Sequence, residues 1–132
     1  MLKDIFRDEV EDIAIAVVPS EEDSSVWEVY MINLKEEGLE NVIVASKGYG
    51  IYKGEEVKTS VLRHFLGSFE PLDIRLIEPI QKDVFGLNNE YWVSFYIGKN
   101  IFDKKFIFLP ESITVDNFTR IPFINRKGVI IR

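Results

Sequence analysis

The chain has 132 residues, the length of one domain, and 46% of them are hydrophobic, so it can bury a core without a metal or disulfide staple. It contains no cysteine, which excludes disulfides, thiolate nucleophiles and cysteine metal sites and is compatible with a reducing compartment. The net charge is −6, and residues 1–40 hold twelve acidic against three basic residues. Such an acidic surface repels phosphate backbones and therefore disfavours nucleic-acid binding.

The N-terminal sequence favours a cytoplasmic protein. Residues 1–12 carry acids where a secretion signal needs a basic region followed by an apolar one. No apolar run approaches the roughly 18 residues of a membrane span, so we expect no membrane contact. Four apolar residues at near-helical spacing predict a short N-terminal helix: Leu2, Ile5, Phe6 and Val10.

Alternation of apolar and polar residues with a period of two predicts strands along most of the chain. The seven predicted strands span residues 12–18, 26–34, 41–46, 56–66, 73–80, 90–97 and 101–109. The second is apolar on both faces, which is typical of a central strand. Residues 60–66 also fit a short helix, because their apolar positions satisfy helical spacing as well.

About seven strands without a long helix between them predict an all-β, antiparallel, immunoglobulin-like β-sandwich in a single domain of residues 1–132. A partly open β-barrel is the alternative. The apolar and basic tail of residues 118–132 falls outside the seven strands. It must pack either on its own domain or on another chain.

The segment SKGYGIYKGE, residues 46–55, holds three glycines and could be a phosphate-binding loop or a turn. Its lysine precedes the first glycine, and the residues after it alternate as a strand rather than opening a helix, so a turn is favoured. Tyr49 and Tyr52, next to Lys47 and Lys53, are candidates for a surface that binds a protein or stacks on a base.

The single histidine, His64, follows Arg63 in a predicted strand. No nucleophile motif accompanies it, and one histidine cannot form a histidine-rich metal site. We therefore expect no catalytic residue, metal or cofactor. The alternative is a general base oriented by a distant carboxylate.

Trp92 and Tyr96 lie on the face of their strand opposite the presumed core. If that face meets solvent, the two rings form an aromatic platform together with Tyr30 or Tyr49. The alternative is that the N-terminal helix or the C-terminal tail covers them.

Three stretches carry a resemblance to a known family: VYMINLKEEGLENVIVASKGYG, VFGLNNEYWVSFYI and FDKKFIFLPE. They resemble a family of small uncharacterised bacterial proteins, some of which are labelled automatically as a phenylalanyl-tRNA synthetase subunit. The resemblance covers most of residues 29–132. It implies neither a fold nor a catalytic residue for this chain.

Together these features predict a non-enzymatic, cytoplasmic protein-interaction domain that binds a partner protein or forms a homodimer through its aromatic face and its tail. The candidate binding residues are Lys47, Tyr49, Tyr52, Arg63, His64, Trp92 and Tyr96. One alternative is an RNA- or tRNA-associated module that uses the lysines and rings of residues 47–53 with Arg63 and Trp92. The other is a small enzyme that uses His64 with Arg63 and a distant acid.

Overall fold

Ten strands and two short 3-10 helices make up the computed structural model, which describes residues 10–132. The strands are β1 (Ile13–Pro19), β2 (Val26–Asn33), β3 (Leu39–Tyr52), β4 (Glu55–Lys58), β5 (Leu62–Phe69), β6 (Asp73–Gln81), β7 (Asn88–Ile97), β8 (Asn100–Phe108), β9 (Thr119–Ile121) and β10 (Arg126–Ile131). The 3-10 helices are η1 (Lys82–Gly86) and η2 (Val115–Asn117). The predicted N-terminal helix lies, apart from Val10, outside the described residues.

The strands form two antiparallel sheets. Sheet 1 has the order β6-β2-β1-β10-β9, and sheet 2 has the order β4-β3-β7-β8. β5 also pairs with β3, on the same edge as β4, because the 14-residue β3 is long enough for both. Within residues 10–132 neither sheet closes on itself, so the predicted β-sandwich is confirmed and the barrel alternative is not formed.

The core lies between the inner faces of the sheets. β1 contributes Ile13, Ile15 and Val17, and the inner side chains of β3 and β7 face them from sheet 2. Each fully buried side chain of this size contributes about 1.5–3 kcal/mol relative to an exposed one. Both faces of β1 are buried, because a second apolar cluster covers the outer side of sheet 1: Ala14, Ala16, Val18, Ile32 and Ile121.

The C-terminal tail is part of sheet 1. β10 lies between β1 and β9, and Val17 pairs with Val129. Gly128 is required at this crossing, because a Cβ atom there would collide with the carbonyl oxygen of Val17. The tail therefore packs on its own domain, which is the first of the two predicted alternatives, and its binding to another chain stays a prediction.

The segment of residues 56–66 differs from its prediction. It holds β4 and the start of β5, separated by residues 59–61, so the helical alternative for residues 60–66 is wrong. The hairpin of β3 and β4 turns at Lys53 and Gly54, both with positive φ, as two-residue hairpin turns require. The segment of residues 46–55 therefore contains a turn, as predicted. No helix in the described part of the chain is long and apolar enough to cross a membrane.

Candidate functional site

The outer face of sheet 2 presents large apolar side chains to solvent. Tyr91, Val93 and Phe95 of β7 are buried, so the alternate residues Trp92 and Tyr96 point outward. Trp92 is 45% exposed and Tyr96 is 37% exposed. The described residues of this chain therefore leave both rings accessible, as a binding platform requires.

Cross-strand neighbours extend this platform, because residues directly opposite each other in paired strands share one face of the sheet. One row across the four strands consists of Arg63, Ala45, Trp92 and Lys105. The next row consists of Phe65, Ile43, Ser94 and Asp103. We call the apolar members of this surface the aromatic face: Ile43, Phe65, Trp92, Tyr96, Ile101 and Ile107. Phe65 is the most exposed of them, at 80%.

The structure brings most of the predicted binding residues to this face. Lys47 and Tyr49 lie on the outward side of β3, beside the row that holds Arg63 and Trp92. Tyr52 lies at the tip of the β3–β4 hairpin. The predicted contribution of Tyr30 is wrong, because Tyr30 packs against the apolar cluster on the outer side of sheet 1.

Three rings of the predicted surface carry a lysine of the same chain. The Lys105 Nζ atom lies 4.7 Å from the centroid of the Trp92 ring. The corresponding distances are 5.6 Å from Lys47 to Tyr49 and 5.3 Å from Lys53 to Tyr52. These are cation–π contacts, and they occupy one side of each ring. Lys47 also forms an ion pair of 3.8 Å with Glu90.

A polar cluster lies on the inner side of sheet 2, and a β-bulge creates it. Val29 pairs with Glu78 and Tyr30 pairs with Leu76, so Ile77 is an additional residue in β6. Strict alternation would place Glu78 on the same outer face as Leu76. The bulge turns Glu78 inward, where it is 9% exposed.

Three side chains of sheet 2 converge on the Glu78 carboxylate. The Ser46 hydroxyl donates a hydrogen bond of 2.8 Å to Oε1, and the Tyr91 hydroxyl donates one of 3.0 Å to Oε2. The His64 Nε2 atom lies 2.8 Å from Oε1. We call these four residues the Glu78 cluster. Because the acid lies on sheet 1 and its partners on sheet 2, the cluster joins the two layers.

The Glu78 cluster keeps the Tyr91 hydroxyl protonated. Burial, together with the charge of the Glu78 carboxylate and its hydrogen bond, raises the pKa of Tyr91 far above its usual value. Tyr91 therefore remains a hydrogen-bond donor throughout the neutral pH range. A buried carboxylate is costly unless donors satisfy it, and Tyr91 is one of the donors that meet this requirement.

The predicted association of His64 with Arg63 is not formed. Successive side chains of β5 point to opposite faces, so Arg63 lies on the outer face while His64 contacts Glu78 inside. The acid that contacts His64 is Glu78, which lies in the other sheet. The Ser46 hydroxyl bonds to this acid and not to His64, so the order of a serine hydrolase triad is not formed.

A cleft of ≈ 380 Å³ opens beside the Glu78 cluster. Its walls come from both sheets, from η1 and from the segment between β4 and β5. The lining includes Ser46, Leu62, Glu78, Ile80, Asp83 and Asn89. Among residues 10–132, no group of three or more histidine, cysteine or acidic side chains is placed to hold a metal ion.

Sequence reasoning missed Glu78, Ser46 and Tyr91 as members of a site. A usable signal was present in DIRLIEPI, where Glu78 stands between Ile77 and Pro79 at the end of an apolar strand. A charged residue at such a position is rarely buried without a partner.

No protein-family model matches this sequence, and the search of curated proteins returns no match either. The resemblance described from the sequence therefore stays a prediction. The aromatic face and the Glu78 cluster are the two features of the described residues that can contact a partner or a ligand.

Proposed function

We propose that this chain is a protein-interaction domain whose aromatic face binds an amphipathic segment of a partner protein. The observation that carries the proposal is the exposure of Trp92 and Phe65 on one outer face of a surface that spans four strands. Exposed large aromatic side chains that share one face with other apolar residues are typical of protein interfaces.

The size of the aromatic face supports a segment as the occupant. Four strands spaced about 4.8 Å apart span roughly 15–20 Å, and the distance along β8 from Ile101 to Ile107 is about 20 Å. An area of a few hundred Å² is smaller than the roughly 800 Å² that each partner buries in a standard interface. One helix, about 10 Å wide, fits this surface.

The charges around the aromatic face indicate the chemistry of the partner. Arg63 and Lys105 flank Trp92 in one row and are both exposed. A helix with an apolar stripe bordered by acidic residues would complement this arrangement.

The same observations favour a protein over RNA. Lys105 covers one side of the Trp92 ring, so a base would have to displace it in order to stack there. Ile43, Ile101 and Ile107 suit an apolar partner surface, whereas they offer a base no ring to stack on. The absence of cysteine supports a reducing compartment, so we propose that the partner is met in the cytoplasm.

The proposal is tested by differential capture. The wild-type chain, the double variant Phe65→Ser and Trp92→Ser, and the control Val115→Ser are immobilised and exposed to native lysate treated with ribonuclease. Val115 is about as exposed as Phe65 but lies in η2, outside the aromatic face. We expect proteins that wild type and control retain and the double variant loses. Identical sets from all three would refute the proposal.

Two further measurements on the same proteins test the other occupants: light scattering tests a second copy of this chain, and a gel-shift assay tests RNA. A dimeric mass that the double variant loses would replace the partner segment with a second copy of this chain. A shift of transfer RNA at low salt that the double variant abolishes would favour the RNA alternative.

A further inference from the structure

We propose that the cleft beside Glu78 binds a small organic ammonium ion with an apolar body. This site lies on the inner side of sheet 2, and its function is independent of the aromatic face. Around Glu78, the donors of Ser46, Tyr91 and Asn89 are used within the protein, whereas acceptor positions remain for a ligand.

The donors at the base of the cleft are committed within the protein. The hydroxyl hydrogens of Ser46 and Tyr91 both point to Glu78. The amide nitrogen of Asn89 donates to the carbonyl oxygens of Val84 and Leu87, at 3.0 and 3.2 Å. Ser46 and Asn89 can therefore contact a ligand only through their side-chain oxygen atoms, which accept hydrogen bonds.

The acidic side chains of the lining add further acceptors. A carboxylate has about four acceptor positions, and Ser46, His64 and Tyr91 take three of those on Glu78. Asp83 is a second, exposed carboxylate in the lining. The ammonium group of Lys47, whose residue also lines the cleft, is paired with Glu90. A ligand that engages the free acceptor positions of Ser46, Glu78 and Asn89 must bring donors, and a positive charge suits the exposed Asp83 as well as Glu78, whose one basic neighbour among the described contacts is His64.

Much of the remaining lining is apolar, although Thr59, Ser60 and Gln81 also contribute to it. Leu62, Pro79, Ile80 and Val84 contribute side chains to the walls, and the volume of ≈ 380 Å³ lies within the range of about 300–1,000 Å³ typical of small-molecule sites. An aromatic ring or a short alkyl chain fits such walls. A primary amine attached to that body would reach the carboxylate.

The Glu78 cluster joins the two sheets, but joining them does not require a carboxylate. A buried apolar residue would join the layers without the cost of desolvating a charge. The bulge in β6 instead places an acid in the wall of an open cavity. Costly buried polar groups of this kind are characteristic of ligand sites.

The test uses three probes with one apolar body: 2-phenylethylamine, 2-phenylethanol and 3-phenylpropionate. Each is titrated into the full-length, isotope-labelled chain while amide chemical shifts are recorded. We expect the amine to shift the amides of Ser46, Gly48 and Asn89 in a saturable manner. We expect the alcohol to bind at least tenfold more weakly and the carboxylate to leave these amides unshifted.

Two variants and one control test the residues. Glu78→Gln should weaken the amine at least tenfold, whereas Glu22→Gln, which changes an exposed acid in the turn after β1, should not. If Glu78→Gln fails to fold, Leu62→Arg introduces a cation at a half-exposed lining position and should repel the amine. Equal binding of the three probes, binding elsewhere, or an amine affinity unchanged by these variants would overturn the proposal. Such a result would leave the aromatic face untouched, because Phe65 and Trp92 do not line the cleft.

Discussion

The hydroxyl of Tyr91, in the interior strand β7 of one sheet, donates a 3.0 Å hydrogen bond to the carboxylate of Glu78, in the edge strand β6 of the other. This contact couples the stability of the sandwich to the protonation of a phenol. Because the pKa of Tyr91 is raised in the folded state, its contribution to stability is present at neutral pH and decreases in alkaline solution.

We expect stability to fall in alkaline solution because of Tyr91. The unfolded phenol ionises near its usual pKa of about 10, whereas the folded one does not. The stabilisation is therefore complete below about pH 10 and is lost as the pH rises toward the folded pKa. Tyr91→Phe should remove this dependence and cost about 1–3 kcal/mol at neutral pH, because Glu78 loses a donor. Urea unfolding at pH 7 and pH 11 measures both effects, with the exposed Tyr52→Phe as control. A variant that keeps the wild-type pH dependence would contradict the assignment.

Ser46 and Glu78 should be energetically coupled. We expect a double-mutant cycle of Ser46→Ala and Glu78→Gln to give an interaction energy of about 0.5–3 kcal/mol, because each change leaves the partner group with an altered hydrogen bond. The free energies of unfolding of the four proteins measure it. The matched control cycle combines Ser68→Ala with Glu78→Gln, and additive losses are expected there because Ser68 is an exposed serine on β5. Additive losses at Ser46 would mean that the 2.8 Å contact contributes nothing.

Gly128→Ala should destabilise the fold by at least about 1–3 kcal/mol, the usual cost of overpacking. The added methyl group would collide with the carbonyl oxygen of Val17, so β10 would have to move away from β1. Gly86→Ala is the control, because its Cβ would meet only the far end of the Glu111 side chain. Thermal unfolding compares the two variants. Equal melting temperatures would show that β10 does not pack as described.

Phe65 and Phe95 should respond differently to the same change. Phe95 is buried in the core, so Phe95→Ala should cost about 3–5 kcal/mol. Phe65 is exposed on the aromatic face, so Phe65→Ala should change the free energy of unfolding by no more than about 0.5–1 kcal/mol. Denaturant titration of both variants measures the difference. A large loss at Phe65 would identify it as a packing residue and weaken its proposed role in binding.

Alternation alone was sufficient to predict the sandwich and the outward direction of Trp92 and Tyr96. Both properties depend on residues close together in one strand, where the period of two is unbroken. The same rule fails for Glu78, because the bulge at Ile77 shifts the alternation by one residue. No residue type in DIRLIEPI marks the bulge, so the inward direction of Glu78 could not be predicted, although a charge at the end of this strand does indicate that it needs a partner.

The partners of His64 and of the tail could not be predicted from the sequence for a different reason. His64 meets an acid in the neighbouring sheet, and β10 meets β1 across almost the whole chain. Sequence patterns show which face of a strand is apolar, but they do not show which strand will lie beside it. The tail was therefore recognised as a segment that must be covered, while its partner strand could not be named.

The pairing of β10 with β1 also has a consequence for biosynthesis. The first strand of the described chain obtains one of its two neighbours from the last, so a ribosome must release residues 126–131 before sheet 1 can be assembled in full. Contacts between such distant segments slow folding and prolong the exposure of unpaired strand edges. Nascent β1 should therefore have only β2 as a neighbour in its sheet until residues 126–131 have been synthesised.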